Sequence, residues 1–325
     1  MGDSHHPRRG SLQFWPRSRA KYLVARIRSW AKESKAKPLG FIGIKAGMTH
    51  LMVTDNRPKS LSKGESIFMP TTIVECPPLV VYGVSFYKKS GDGLRKLSSI
   101  MAPKPVPELS RRFPLSKKEV KPLDSVKEFD FLRLLVHTTP KNSHMGSKNP
   151  QVLEIALGGN KEEQLKYAQE KLGKELLITE VFDKGNQVDV HGITTGKGFQ
   201  GTVKRYGVPI RQHKAEKTKR GIATLGGWTP KRIEFTVGVP GKMGYHLRTE
   251  YNKQILKISN NANEINPASG LNRYGIIRNS YLLVKGSLTG PRKRAVVLTA
   301  AIRPDRKVTK DAPEITYIHN TPQNN

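Results

Sequence analysis

From residue 40 the chain reads Gly40-Phe-Ile-Gly-Ile-Lys-Ala-Gly-Met-Thr-His-Leu-Met-Val53. Phe41–Ile44 and Leu51–Val53 are short β-rich runs with glycine between them. Similar runs follow at Thr72-Ile-Val74 and Val80-Val-Tyr-Gly-Val84, punctuated by Pro70, Pro77 and Pro78. Gln187-Val-Asp-Val-His191 and Ile233-Glu-Phe-Thr-Val237 alternate apolar and polar residues with period two, as a half-buried strand does. Tyr281-Leu-Leu-Val284 and Ala295-Val-Val-Leu298 flank Gly286-Ser-Leu-Thr-Gly-Pro291 and read as a hairpin-like pair. Many short strands separated by turn residues predict a mainly β chain closed as a barrel.

One helix stands out. Asn160 and Glu163 have the spacing of a capping box, and Leu165, Ala168 and Leu172 form one apolar stripe ended by Gly173. It lies in an acidic stretch: residues 150–190 hold five Lys against eight acids. The expected organisation has barrel core at 40–94, 176–203 and 239–303. Residues 95–175 form a linker and an α/β insertion, the five prolines of 103–122 marking the extended linker. Residues 1–39 form a basic arm with too few apolar side chains for a core, though Leu23, Ile27 and Trp30 have the spacing of one short helix. Residues 204–238 form a basic finger loop and 304–325 a polar tail.

Charge decides the class of partner. The 325 residues carry 57 Lys and Arg against 26 Asp and Glu, a formal net charge of +31. Such self-repulsion calls for a polyanion. The charge is clustered: ten cations against two acids in 1–39, ten against Glu216 alone in 197–232, and ten against two in 240–295. Clusters of this kind are the footprint of nucleic-acid binding. The single cysteine, Cys76, can neither close an internal disulfide nor build a two-cysteine metal site, which points to a reducing compartment. Neither a membrane-length apolar stretch nor a secretory leader is legible, so a soluble cytoplasmic protein is expected.

Catalytic motifs fail on inspection. Gly196-Lys-Gly-Phe-Gln-Gly201 fits the dinucleotide fingerprint, but Thr202–Pro209, with β-branched residues, a glycine and a proline, does not read as the required helix. Glycines between lysines let backbone approach a phosphate, which RNA also offers. None of the three Gly-Lys pairs, at Lys174, Lys197 and Lys242, is followed by Ser or Thr as a phosphate-binding loop requires. No zinc-protease or serine-hydrolase signature occurs, and the nine histidines are scattered. No cofactor, metal or small-molecule substrate is expected. Between 204 and 224 there are few large aliphatics, so that stretch is expected to bury no core. Ending in Leu225-Gly-Gly-Trp-Thr-Pro230, it reads as a finger with Trp228 near its tip; the competing reading packs Trp228 into the barrel.

Phe41-Ile-Gly-Ile-Lys-Ala-Gly-Met-Thr-His50 resembles the opening strand and turn of the universal large-subunit ribosomal protein three family. Thr195-Gly-Lys-Gly-Phe-Gln-Gly-Thr-Val-Lys-Arg205 is similar to that family's most recognisable segment. Gly241-Lys-Met-Gly-Tyr-His-Leu-Arg-Thr-Glu250 and Leu282-Leu-Val-Lys-Gly-Ser287 match two further blocks. Pro7-Arg-Arg-Gly-Ser-Leu-Gln-Phe-Trp-Pro-Arg17 and Thr72-Ile-Val-Glu-Cys-Pro-Pro78 are similar to its archaeal and eukaryotic branch. The long C-terminal extension of eukaryotic members does not occur, so the chain resembles archaeal ones.

The resemblance implies a translation-protein-type β-barrel with an α/β insertion, an extended N-terminal arm and a central finger loop. It implies a structural, non-enzymatic role: binding large-subunit rRNA near its 3′ end early in assembly, beside neighbouring ribosomal proteins, with arm and finger reaching toward the peptidyl-transferase centre. Where eukaryotic members carry a methylated histidine this chain has Lys219, so that modification is not carried over. Charge map and resemblance together nominate rRNA-facing residues. On the arm these are Arg8, Arg9, Phe14, Trp15, Arg17, Arg19 and Lys21; on the barrel, Lys45, Lys197, Lys242, His246 and Arg248. On the finger they are Lys204, Arg205, Arg211, His213, Lys214, Lys217, Lys219, Arg220, Trp228, Lys231 and Arg232. An RNA-modifying enzyme and a non-ribosomal nucleic-acid chaperone are the rival readings.

Overall fold

The computed structural model describes residues 7–115, 122–126, 128–143, 147–215 and 217–320. Its strands are β1 (Gly40–Thr54), β2 (Ser66–Glu75), β3 (Leu79–Ser90), β4 (Gly93–Met101), β5 (Phe131–Thr138), β6 (Val152–Ala156), β7 (Glu175–Leu176), β8 (Gln187–Ile193), β9 (Phe199–Gln200), β10 (Gly241–Lys242), β11 (Leu247–Ser259), β12 (Tyr281–Lys285), β13 (Ala295–Ala300) and β14 (Ile315–Ile318). The helices are α1 (Lys161–Lys171) and the single-turn α2 (Thr202–Tyr206). Two compact units result: Met1–Tyr22 with Ile193–Leu247, and Leu23–Gly192 with Arg248–Asn325.

The larger unit contains the barrel. Its strands run β13-β8-β11-β12-β2-β1, and β1 pairs back with β13, closing a ring of six. The two runs at 41–44 and 51–53 belong to one 15-residue strand with a register shift between Lys45 and Gly47. The half before the shift pairs with β13, Ile44 opposite Ala295, and the far half pairs with β14, Leu51 opposite Ile318. Successive residues enter different cores, because side chains alternate across a strand. Val74, Ile255 and Leu282 join one cluster with Phe41, Val190 and Val297. Their neighbours Ile73, Leu256 and Leu283 join another with Ile44, Leu51 and Tyr281. Burial on both faces is why these strands read as unbroken apolar runs.

A second antiparallel sheet, β4-β3-β5-β6 with β7 on β3, is the partner of α1. The capping box at Asn160 and Glu163 is present, and Gly173 follows the cap with φ +80°. Ala168 faces the sheet with buried Gln164, whose carbonyl accepts Leu132 N–H at 2.9 Å and whose amide donates to Gly159 at 3.0 Å. Strand β3 belongs to this sheet although its first residues read like barrel strand.

Several expectations require correction. Tyr281–Val284 and Ala295–Leu298 are not a hairpin: β12 pairs with β11 and β2, whereas β13 pairs with β1 and β8, because ring closure separates them. The polar tail contributes β14, an edge strand on β1. Leu23–Trp30 forms no helix; Ala25 and Ile27 are buried in the main core, with Trp30 packed against it, from an irregular segment. Part of the proline-rich linker packs as well: Pro107–Arg111 is a 3₁₀ turn, and Leu109 is buried with Tyr82 and Leu135.

Glu75, at the end of β2, is fully buried and holds the loop before β12. One carboxyl oxygen accepts Arg278 N–H and Asn279 N–H, each at 3.1 Å, and the Asn279 side-chain amide at 2.8 Å. The other accepts the Tyr274 hydroxyl, whose pKa is pushed up by burial and by the adjacent Glu75 charge. A buried carboxyl survives only when its oxygens are satisfied in this way.

Candidate nucleic-acid interface

The smaller unit joins the arm to the 193–247 stretch. Its base is a paired segment: β9 pairs with β10, Lys197 N–H donates to Met243 at 3.0 Å, and Met243 N–H donates to Gly198 at 2.9 Å. Gly244 is required here. Its φ is +75°, and a Cβ would lie 2.2 Å from the Thr195 carbonyl oxygen. The arm runs alongside: Ala20 N–H donates to Tyr245 at 2.8 Å, and His246 Nδ1 lies 2.8 Å from the Ser18 carbonyl oxygen.

The arm then packs on Tyr206, at the end of α2. Thr202–Tyr206 does form one helical turn, contrary to expectation, because Gly207 closes it in the left-handed conformation before Pro209 intervenes. At five residues it is not the helix of a dinucleotide fold. Trp15 stacks on Tyr206 with centroids 5.8 Å apart, and Phe235 meets Trp15 edge-on at 5.9 Å. The Arg17 guanidinium lies 4.3 Å from the Tyr206 ring centre and that of Arg205 lies 4.9 Å away. Gly10 and Gly238 abut the same ring, and Gly10 N–H donates to the Tyr206 carbonyl at 3.0 Å. The finger thus contains a small core after all. Nothing in the local pattern marks Tyr206 as its centre, because an isolated tyrosine among basic residues carries no periodic signal.

The nominated residues fall into three groups. Arg8, Arg17 and Arg205 act as internal struts: Arg8 Nη2 donates to Thr236 (3.1 Å), Arg17 Nη1 to Arg205 (2.9 Å), and Arg205 Nη1 to Val239 (2.8 Å), all to carbonyl oxygens. Trp15 belongs with them. Lys45 departs furthest from expectation. It is buried in the larger unit, its Nζ donates to the Gly290 carbonyl at 2.9 Å and to that of Leu288, and burial lowers its pKa. Arg248 is half-buried on β11 of the larger unit.

The third group is exposed. Arg9, Arg19, Lys21, Lys197, Lys204, Lys214, Lys217, Lys219, Arg220, Arg232 and Lys242 make no side-chain ion pair among the described residues. Phe14 and His213 are exposed as well. Arg211 is tied to the finger, its guanidinium donating to Ile222 and Ala223. Trp228 is 83% exposed, with the Lys231 ammonium 5.2 Å from its ring centre, so it is not a barrel core residue. Ile233–Val237 is not a strand; it pairs with no strand among the described residues, and Phe235 is spent on Trp15. Residues 7–22 and 193–247 carry sixteen Lys or Arg against Glu216 and Glu234. An array of exposed cations on a backbone braced by arginine struts can engage many phosphates at once.

The family model for Ribosomal protein L3 matches residues 1–323. The large ribosomal subunit protein uL3 of Methanocaldococcus jannaschii is 47% identical over 98% of this chain and 97% of its own length. Those of Methanococcus vannielii and Methanobrevibacter smithii are 44% and 42% identical, each over 97% of this chain and 96% of their own. A match of this extent, in the order of the sequence blocks and on a mainly β fold, places the chain in the ribosomal protein L3 family.

Proposed function

We propose that this chain is a cytoplasmic, non-enzymatic constituent of the large ribosomal subunit that binds large-subunit rRNA near its 3′ end early in assembly. Arm and finger extend toward the peptidyl-transferase centre, and neighbouring ribosomal proteins are its other partners. The observation that carries the reading is the unbalanced charge of the smaller unit, with most of its lysines and arginines displayed outward and its few aromatic contacts used to shape the backbone. Counterion release on phosphate neutralisation supplies the affinity. Folded RNA is recognised through shape and backbone. The L3 family relationship supports ribosomal rather than transient association.

Two measurements test this. Stoichiometric retention of the protein in salt-washed large subunits is expected; transient association would favour a chaperone or a modifying enzyme. Trp228→Ala is expected to leave the melting temperature nearly unchanged, since exposed substitutions stay within about 0.5 kcal/mol. It should lower peptide synthesis by reconstituted subunits, because stacking on a base is worth about 1–3 kcal/mol. A large fall in melting temperature with unaffected synthesis would contradict the finger-tip role.

A further inference from the structure

The turn leading into β13 carries Arg292-Lys293-Arg294, three consecutive cations outside the arm and finger. With Leu23, Ser147 and Gln151 they line an open hollow of about 200 Å³, and no described carboxylate lies at its wall. The turn is held from the neighbouring strand by one residue. Lys45 N–H donates to the Arg294 carbonyl at 3.1 Å, and the Lys45 carbonyl accepts Lys293 N–H at 2.8 Å. The Lys45 ammonium donates to the Leu288 and Gly290 carbonyls. Lys293 adopts φ +66°, unusual for a residue with a side chain, and sustained only where the surroundings impose it. Arg292 Nη1 donates to the Asn272 carbonyl at 2.7 Å, fixing the guanidinium stem. A lysine in the middle of an apolar strand is costly to bury, and these hydrogen bonds to a single turn are what it makes there. Three consecutive cations lining a hollow whose described wall carries no carboxylate fit a phosphate group.

We propose that this turn is a seat for a phosphate of the RNA backbone, and that Lys45 is the positioning residue that shapes it from within the barrel. The seat rests on the RNA-binding reading above and adds a site on the larger unit. Lys45 itself does not touch RNA.

The test is the salt dependence of full-length protein binding to a large-subunit rRNA fragment. Arg292→Gln, Lys293→Gln and Arg294→Gln together should reduce the slope of log affinity against log salt by at least the roughly 0.7–0.9 that one phosphate contributes. Arg303→Gln, Arg306→Gln and Lys307→Gln remove the same charge from exposed positions beyond β13 and should reduce it less. Lys45→Met should lose slope like the seat variant while its circular dichroism stays that of folded protein; a merely structural lysine would lower the melting temperature and leave the slope alone. Lys45→Gln, which keeps a donor, should fall between. Equal loss in the control triple, or an unchanged slope in the seat variant, overturns the proposal while leaving the RNA-binding reading intact; a flat slope in the wild type sinks both. Inorganic phosphate titrated alone, followed by the amide resonances of residues 292–294, separates the sources. A response there, combined with an unchanged RNA slope, assigns the seat to a free anion and overturns the RNA assignment.

Discussion

Deleting residues 204–238 is expected to leave the barrel's melting transition close to its original position while removing most of the protein's affinity for rRNA. The barrel ring is closed by β1 and β13, and none of its six strands draws on the deleted stretch. Both buried clusters that line those strands lie wholly outside it as well. The deletion removes nine Lys or Arg, Trp228, and the Tyr206 platform on which Trp15 and Arg17 rest. Every phosphate that is no longer neutralised lowers the salt slope by about 0.7–0.9, so giving up half a dozen changes affinity by orders of magnitude. The arm should loosen too, and proteolysis near Arg17 should accelerate. A deletion variant that melts many degrees lower would show that the finger carries barrel core. One that binds rRNA with the original slope would move the interface elsewhere.

Glu75→Ala should rank with the most destabilising single substitutions in the barrel. The methyl group leaves three N–H donors, from Arg278, Asn279 and the Asn279 amide, and the Tyr274 hydroxyl without their acceptor. An unsatisfied buried polar group costs about 1–3 kcal/mol, and partial rescue by water holds the total to about 3–5 kcal/mol. For a unit of this size that is a fall of roughly 6–15 °C in melting temperature. Glu75→Gln, whose carbonyl still accepts, should lose less. Thermal melts of the two variants check both the size and the order; equal and small losses would show that the loop before β12 is held by packing alone.

Some of this was legible in the sequence and some was not, for identifiable reasons. The barrel strands announced themselves because both faces are buried, which turns Tyr281–Val284 and Ala295–Leu298 into apolar runs. The same shortness of connection that makes them look like a hairpin says nothing about ring closure, and closure decides their partners. Period-two alternation misled at Ile233–Val237, since alternation describes a face and not the presence of a neighbour to pair with. The capping box at Asn160 succeeded because its chemistry is local. At the interface, clustering of charge located the exposed lysines, whose role needs no tertiary partner. Arg17, Arg205 and Lys45 look identical to those residues in sequence. Their roles depend on carbonyl oxygens at Ser11, Val239 and Gly290, which only the folded chain brings to them.

The most direct measurement is the affinity of the intact protein for a fragment from the 3′ region of large-subunit rRNA, across a range of salt concentrations. Sixteen cations on the smaller unit predict a steep linear fall of log affinity with log salt; six to ten phosphates engaged would mean about 10³–10⁵-fold weaker binding between roughly 50 and 200 mM salt. An affinity that stays flat over that range would contradict the account, because the +31 charge would then serve something other than the RNA backbone.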